Sequence, residues 1–280
     1  MSGASRFTIR PFAPPDLAAV VVANDAIGWR DRGGMIAFYA GRDDSAFFVA
    51  EVDGAVVGCG GATVFPGTST TGWVHGIVVR PDVQRGGLGR ALTEAAIHWL
   101  RLRAVATVLL LATDAGRPVY ERLGFEAGER YGAFDWVKDD GAPAATLRAM
   151  TADDVPAVRA LDREATGEDR AAMIDALPPA GWVATRGGAV RGFHLACPWG
   201  GGPTIAGEPA LGLDLLAASA RLQPAEPLRA LGVPESNAAA MRYLAARGAA
   251  PRRYVTRMWL GDPPPWRPAM IFGVFNFATA

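Results

Sequence analysis

The chain has 280 residues, about twice the commonest domain size, so it is too long for one small domain. Half of the residues are apolar and 20% are charged, which excludes a disordered or fibrous chain and allows a sizeable core. With 28 basic and 28 acidic side chains the formal charge is zero, which excludes nucleic-acid binding by bulk electrostatics and leaves only local basic patches.

Lys138 is the only lysine, and this Arg- and Ala-rich usage points to a GC-rich bacterial genome. Cys59 and Cys197 are too far apart in sequence to suggest a disulfide framework or a zinc cluster. The first residues carry Arg6, Arg10 and Asp16 in place of a long apolar stretch, and no run approaches the roughly 18 apolar residues of a membrane span. The expectation is a cytoplasmic protein without membrane or nucleic-acid partners and without a bound metal.

Residues 8–39 align without a gap on residues 146–177, with nine identical positions. These include Arg10/Arg148, Asp16/Asp154, Asp31/Asp169, Arg32/Arg170 and the Met-Ile pairs at 35–36 and 173–174. After a four-residue deletion, Val49-Ala50 and 54–58 match Val183-Ala184 and 188–192. Each copy reads as a β start (FTIRPF, ATLRAM), an Asp-containing cap, an Ala/Val/Leu-rich helix and a hairpin around a Gly turn. Two related domains are therefore expected, over 1–140 and 145–280, joined near Asp139-Asp140-Gly141-Ala142-Pro143.

After the first hairpin, residues 72–79 have the composition of a buried strand, which Pro81 ends. Gln84-Arg85-Gly86-Gly87-Leu88-Gly89-Arg90 then runs into an Ala/Leu-rich helix, expected from Ala91 to about Arg103. Glycines at a strand-to-helix turn let backbone N–H groups converge, and the helix end adds partial positive charge, a setting suited to a pyrophosphate. No Lys follows as a P-loop requires, and G-x-G-x-x-G is absent. What remains is Q/R-x-x-G-x-G/A at Gln84, Gly87 and Gly89, a pattern that ordinary Gly-rich turns also produce. Further on come an apolar strand at 108–112, a helix ending in Tyr120-Glu121-Arg122-Leu123-Gly124-Phe125, and a closing strand.

The glycine turn and the YERLGF element together resemble the GNAT superfamily of acyl-CoA-dependent acetyltransferases, over residues 7–137. With its weaker second copy, the chain resembles bacterial tandem-GNAT proteins. The resemblance implies an α/β fold of layered α+β type, with two tandem domains that are each a mixed, mostly antiparallel twisted sheet flanked by helices. It also implies acetyl-CoA as co-substrate. On that basis Gln84, Arg85, Gly86, Gly87, Leu88, Gly89 and Arg90 hold the coenzyme pyrophosphate, and Ile77, Val78 and Val79 contact its acetyl and pantetheine parts through their backbone. Thr113, Asp114 and Gly116 lie near the coenzyme, and Tyr120 near the sulfur, where a phenol donates a proton or hydrogen bond to the leaving thiolate. Relatives often have Asn where this helix begins, and this chain does not.

The base is open at this level. Histone-type members carry a glutamate where Trp73 stands here, and an indole accepts no proton. His75 lies two residues on, on the same strand face, and its unperturbed pKa of about 6.5 suits a base. The alternatives are a pocket-lining histidine and proton loss through water. Trp29, Trp73 and Tyr131 are candidates for shaping an acceptor pocket.

The second copy keeps the fold-like parts and loses the chemical ones. Gly200-Gly201-Gly202 leads into Pro203 and a strand-like Thr204-Ile205-Ala206, and Leu244 stands where Tyr120 is expected. The reading is a degenerate GNAT-like domain that binds no coenzyme and packs on the first, completes its cleft or forms a homodimer face. The implied function is acetyl transfer from acetyl-CoA to a primary amine of a small molecule or peptide. The other reading is an acyl-CoA-binding regulator with little turnover.

Overall fold

The structure is a computed structural model that describes residues 7–67, 70–84, 86–137, 141–223 and 230–280. Arg85 of the glycine turn, and Asp139 and Asp140 of the expected joint, lie outside the described residues. In the first copy, β1 (Phe7–Pro11) leads through a short 3-10 turn into α1 (Leu17–Asp25) and α2 (Gly33–Ala40). Next come β2 (Ser45–Val52), β3 (Ala55–Phe65), β4 (Thr71–Val79), α3 (Leu88–Arg101), β5 (Thr107–Ala112), α4 (Arg117–Glu121) and β6 (Glu126–Phe134).

The second copy runs through β7 (Leu147–Ala149), α5 (Val155–Thr166), α6 (Ala171–Asp175), β8 (Gly181–Arg186), β9 (Ala189–Leu195), β10 (Thr204–Ala206) and α7 (Pro209–Ser219). It ends with β11 (Leu231–Pro234), α8 (Ala238–Ala246), β12 (Arg253–Leu260) and β13 (Ile271–Gly273).

The chain divides into two compact units. Unit 1 holds Met1–Leu110, Gly116–Glu126 and Trp259–Asp262; unit 2 holds Leu111–Ala115, Ala127–Met258 and Pro263–Ala280. Each unit is thus discontinuous in sequence. In unit 1 the strands lie in the order β1-β2-β3-β4-β5, antiparallel except for the parallel pair β4/β5. In unit 2, β6 pairs antiparallel with β11, and a five-stranded sheet has the order β13-β10-β9-β8-β7. The apolar tail pairs through β13 on β10.

The α3 helix shows why the first unit packs where it does. Its buried residues Leu88, Leu92, Ala96, Ile97 and Leu100 recur at three- and four-residue steps and form one apolar stripe. Leu88 and Leu92 join Ala50 and Val57 in a core cluster, against which Ile77 and Val79 of β4 also pack. One hydrophobic cluster therefore fixes the start of α3 against the end of β4.

The repeat is visible atom by atom. Arg10 grips both oxygens of Asp16 at 2.7 and 2.8 Å, while Asp16 accepts the Ala13 N–H at 2.8 Å. Arg148 grips Asp154 at 2.7 and 2.6 Å, and Asp154 accepts the Thr151 N–H at 2.9 Å. Both carboxyls are held below the usual range, chiefly by their arginine partner. The hairpins break register at matched places, between Ala50 and Glu51 in β2 and between Ala184 and Thr185 in β8.

Each Asp closes a helix-leading turn and neutralises an arginine, so its loss leaves a backbone donor and a cation without their acceptor. Asp154→Ala is expected to lower stability by about 1–3 kcal/mol at pH 7, read from urea unfolding. The wild-type advantage is present above the ordinary carboxylate pKa and shrinks as the pH falls below about 4, where the unfolded chain takes up the proton first.

Candidate functional site

The site starts from a parallel ladder that stops early. β4 and β5 pair at Thr71↔Thr107, Gly72↔Val108 and Trp73↔Leu109 and nowhere further, although β4 runs on to Val79 and β5 to Ala112. On its other edge β4 stays bonded to β3, where the Arg80 N–H reaches Val57 O at 2.8 Å. Strand alternation then turns the backbone groups of Val79 and Ile77 to the edge that β5 has left, and those of Val78 to β3. The Gln84 side-chain amide donates to Val79 O at 2.9 Å and so ties the turn to this edge. The Ile77 and Val79 N–H groups and the Ile77 carbonyl line the same edge.

The break has a local cause. Gly76 has φ +61, and the β3/β4 register slips between Cys59 and Gly61. A glycine there gives the bulge at no Cβ penalty. Sequence reasoning passed over Gly76, although an isolated glycine in an otherwise β-rich run is the ordinary signal of a bulge.

Beyond β4 the chain turns through residues 81–83, with Arg80 ion-paired to Asp82 at 2.5 Å, and reaches the glycines. Gly87 caps α3 in the left-handed region, at φ +83. Within the helix the Ala91 N–H is bonded to Gly87 O at 3.0 Å, so the N–H groups of Leu88, Gly89 and Arg90 emerge from the helix end. Leu88 is buried and anchors the turn. Gly86 and Gly89 are open: a Cβ on Gly89 would meet only Val79 Cγ2, at 4.0 Å. Folding does not demand glycine there, and a helix disfavours it, so the vacant volume points to a ligand that approaches the backbone. Arg90 is exposed and bonds Glu94 at 2.9 Å.

Thr113 and Asp114 follow β5, half-buried and exposed respectively, and Gly116 starts α4, its carbonyl accepting the Val119 N–H at 2.9 Å. Tyr120 is buried on α4, edge-on to Phe125 at 6.0 Å. Burial pushes its pKa up to about 12, so it keeps its proton at neutral pH. Its hydroxyl has no hydrogen-bond partner among the described residues.

His75 is placed differently from the expectation of a base. It is 4% exposed, sits 4.7 Å from the Tyr39 ring and 5.7 Å from Phe47, and shares a 3.0 Å hydrogen bond with Thr63 Oγ1. Thr63 in turn bonds Ser45 at 2.9 Å. Desolvation pushes its pKa down to about 3, so the imidazole is a neutral core group and a weak base. Of the acceptor-pocket candidates, Trp29 and Trp73 lie in unit 1 and Tyr131 in unit 2. Trp73 is fully buried, and Trp29 is half-buried with the Arg32 guanidinium 5.6 Å from its ring. Tyr131 belongs to unit 2, where it stacks on Trp266 at 5.9 Å.

The second copy has the equivalent strand and helix without the equivalent turn. β10 gives way to α7 after residues 207–208 alone. Pro209 opens the helix without an N–H, and Glu208 precedes it with a carboxylate ion-paired to Arg186. That helix end offers one donor fewer, and the carboxylate before it is already held by an arginine. Leu244 is buried on α8. Among the described residues no group of His, Cys, Asp and Glu is placed to hold a metal, and no helix is long and apolar enough to cross a membrane.

Residues 19–125 match the model described as acetyltransferase (GNAT) family, and residues 158–273 match one described as acetyltransferase (GNAT) domain. The chain belongs to the GNAT acetyltransferase family, with one such domain in each half. GNAT acetyltransferases in general use acetyl-CoA as co-substrate. A protein named mycothiol acetyltransferase from Saccharomonospora viridis is 36% identical over 141 residues, which cover 43% of this chain and 46% of that one. One of the same name from Tsukamurella paurometabola is 32% identical over 148 residues, covering 45% and 51%. The matched stretches thus span about half the length of these relatives. A solved Pyrococcus horikoshii structure superposes with a TM-score of 0.84 at 20% identity, over 98% of this chain and 96% of that one. The GCN5-related N-acetyltransferase from Sphaerobacter thermophilus follows with a TM-score of 0.59 at 18% identity, over 94% and 98%. These two likenesses show the GNAT fold.

The buried histidines set an acid limit on the fold. His194 resembles His75: it is fully buried, bonds Thr204 Oγ1 at 2.9 Å and is pushed down to about 3 by desolvation. Unfolded histidines take up protons near pH 6.5, which the folded chain refuses, so stability falls as the pH drops from 6.5 towards 3. The expected slope is up to about 1.4 kcal/mol per pH unit for each histidine. Urea midpoints are expected to be level from pH 7 to 8.5 and to fall below pH 6, less steeply in His194→Gln.

Proposed function

We propose that this chain is an N-acetyltransferase that moves the acetyl group of acetyl-CoA to a primary amine of a small molecule or peptide, by direct attack in a ternary complex. The observation that carries the reading is the parting of β4 and β5 after Trp73↔Leu109, followed along the chain by the open glycine turn and the N-terminus of α3. The relatives named mycothiol acetyltransferase support acetyl transfer as the reaction. In this reading the first GNAT domain, 1–140, does the chemistry, the second, 145–280, binds no coenzyme, and the protein works in the cytoplasm.

The backbone N–H groups of residues 86–90 and the end of α3 receive the pyrophosphate. Arg85 and Arg90 add charge, and Arg90 can turn from Glu94 at little loss, because an exposed i,i+4 pair contributes only about 0.3–0.5 kcal/mol. The edge formed by Ile77 and Val79 takes the pantetheine and orients the thioester, with the Ile77 N–H stabilising negative charge on the acetyl oxygen. The amine nitrogen bonds to the carbonyl carbon and the C–S bond breaks. Tyr120, protonated at neutral pH, donates a hydrogen bond to the departing thiolate. Thr113, Asp114 and Gly116 border the coenzyme. Water takes the amine proton, since His75 is buried and its pKa of about 3 leaves it too weak a base.

Thiol release from acetyl-CoA across a library of amines tests the reading; coenzyme binding without turnover on any amine would favour a regulatory role. Two substitutions sharpen it. Gly89→Ala is expected to raise stability by about 0.5 kcal/mol, as a helix residue gains a Cβ in open space, yet to raise KM for acetyl-CoA at least about tenfold. Opposite signs in these two measurements separate a ligand contact from a folding requirement. Tyr120→Phe is expected to lower kcat about 10–100-fold with little change in KM for acetyl-CoA, while His75→Gln keeps the wild-type shape of kcat/KM between pH 6 and 9.

A further inference from the structure

We propose that the Cys59 thiol is a positioning residue that fixes the Gly76–Ile77 peptide so that the Ile77 N–H faces the acetyl carbonyl. The inference rests on the acetyltransferase reading above and deepens it. Cys59 lies on β3, is 1% exposed, and its Sγ–H donates to Gly76 O at 3.6 Å. Its sulfur accepts the Asn24 Nδ2–H at 3.6 Å, and the same amide donates to Val20 O at 2.9 Å, so α1 holds the thiol from behind. Burial raises the thiol pKa to about 12, which keeps the proton in place for donation.

A trans peptide is planar, with its C=O and N–H pointing in opposite directions. Once Gly76 O is held by Cys59 on the β3 side, the Ile77 N–H must point away from β3, to the edge that β5 has left. Strand alternation from Val78 already favours that direction, but Gly76 and Ile77 fall in the register break and have no paired residue on β3, so no ladder bond of their own fixes the peptide. With φ +61, Gly76 also has the conformational freedom that lets a peptide rotate. A second restraint acts on the preceding residue, where Ser45, Thr63 and His75 form a hydrogen-bonded chain. The bulge is thus held on both flanks, and Cys59 is the group that sets its peptide plane. This also gives buried His75 a use as an anchor.

The test is infrared spectroscopy of acetyl-CoA carrying a 13C label at the thioester carbonyl, bound to the full chain, which does not require the acceptor to be known. Wild type is expected to lower the carbonyl frequency relative to free acetyl-CoA, as a hydrogen bond to the oxygen does. Cys59→Ala is expected to bind acetyl-CoA within about twofold of wild type but to lose most of that shift, and Cys59→Ser to restore it. With an accepted amine, kcat is expected to fall about tenfold in Cys59→Ala and KM for acetyl-CoA to stay within twofold, less than the loss of a whole oxyanion donor. Unfolding midpoints of the three proteins show whether Cys59→Ala remains folded, and Cys59→Ser carries the test if it does not. An unchanged carbonyl shift in folded Cys59→Ala, or in Cys59→Val if Ser alone restores folding, overturns the role of Cys59. A wild-type protein that fails to bind acetyl-CoA overturns the acetyltransferase reading instead.

Discussion

A β-strand that gives up half of its hydrogen-bond ladder is the constraint around which this protein is built. Backbone N–H and C=O groups inside a fold are nearly always paired, because a buried donor without a partner costs about 1–3 kcal/mol. β4 keeps its bonds to β3 and drops those to β5 after Trp73, which leaves the peptide groups of Ile77 and Val79 to be satisfied by something other than the sheet. Gln84 answers one of them from within the chain. The remaining groups make an extended edge suited to the amide groups and thioester of a coenzyme arm. Such an edge survives only if its surroundings are rigid. The cluster of Leu88, Leu92, Ile77 and Val79 locks strand to helix, and the Cys59 and Thr63 contacts hold the bulge.

Comparison of the two halves separates scaffold from chemistry. The Arg–Asp clasp, the capped turn and the hairpin slip recur in both copies with nearly the same distances, so they belong to the framework. The turn before the helix does not recur. Residues 80–84 and 86–87 make room for glycines and emerging N–H groups in the first copy, whereas Gly207 and Glu208 close the same gap in the second. A proline at the start of α7 removes a donor, and an ion-paired carboxylate precedes it. Leucine at 244 fills the core without a hydroxyl.

Much of this was legible in the sequence because its causes are local. The clasp links residues six apart, and a glycine turn into a helix presents its donors wherever the fold carries it. The strand at 72–79 and the apolar strand at 108–112 emerged close to their expected places. What stayed hidden depends on distant parts of the chain. Alternation put Trp73 and His75 on one face of β4, but only the packing of Tyr39 and Phe47 decides that this face is a sealed core. Tyr131 follows the Tyr120 helix closely in sequence yet belongs to the other unit, because the chain crosses between units more than once. The bond from Cys59 to Gly76 joins positions 17 apart, and no motif marks it.

The central claim is that one coenzyme site survives in a chain written twice. Titration calorimetry of acetyl-CoA into the full 280-residue protein tests it most directly. Saturation at a single coenzyme per chain is expected. Saturation at two would restore a site to the second half, and the absence of binding would remove it from the first.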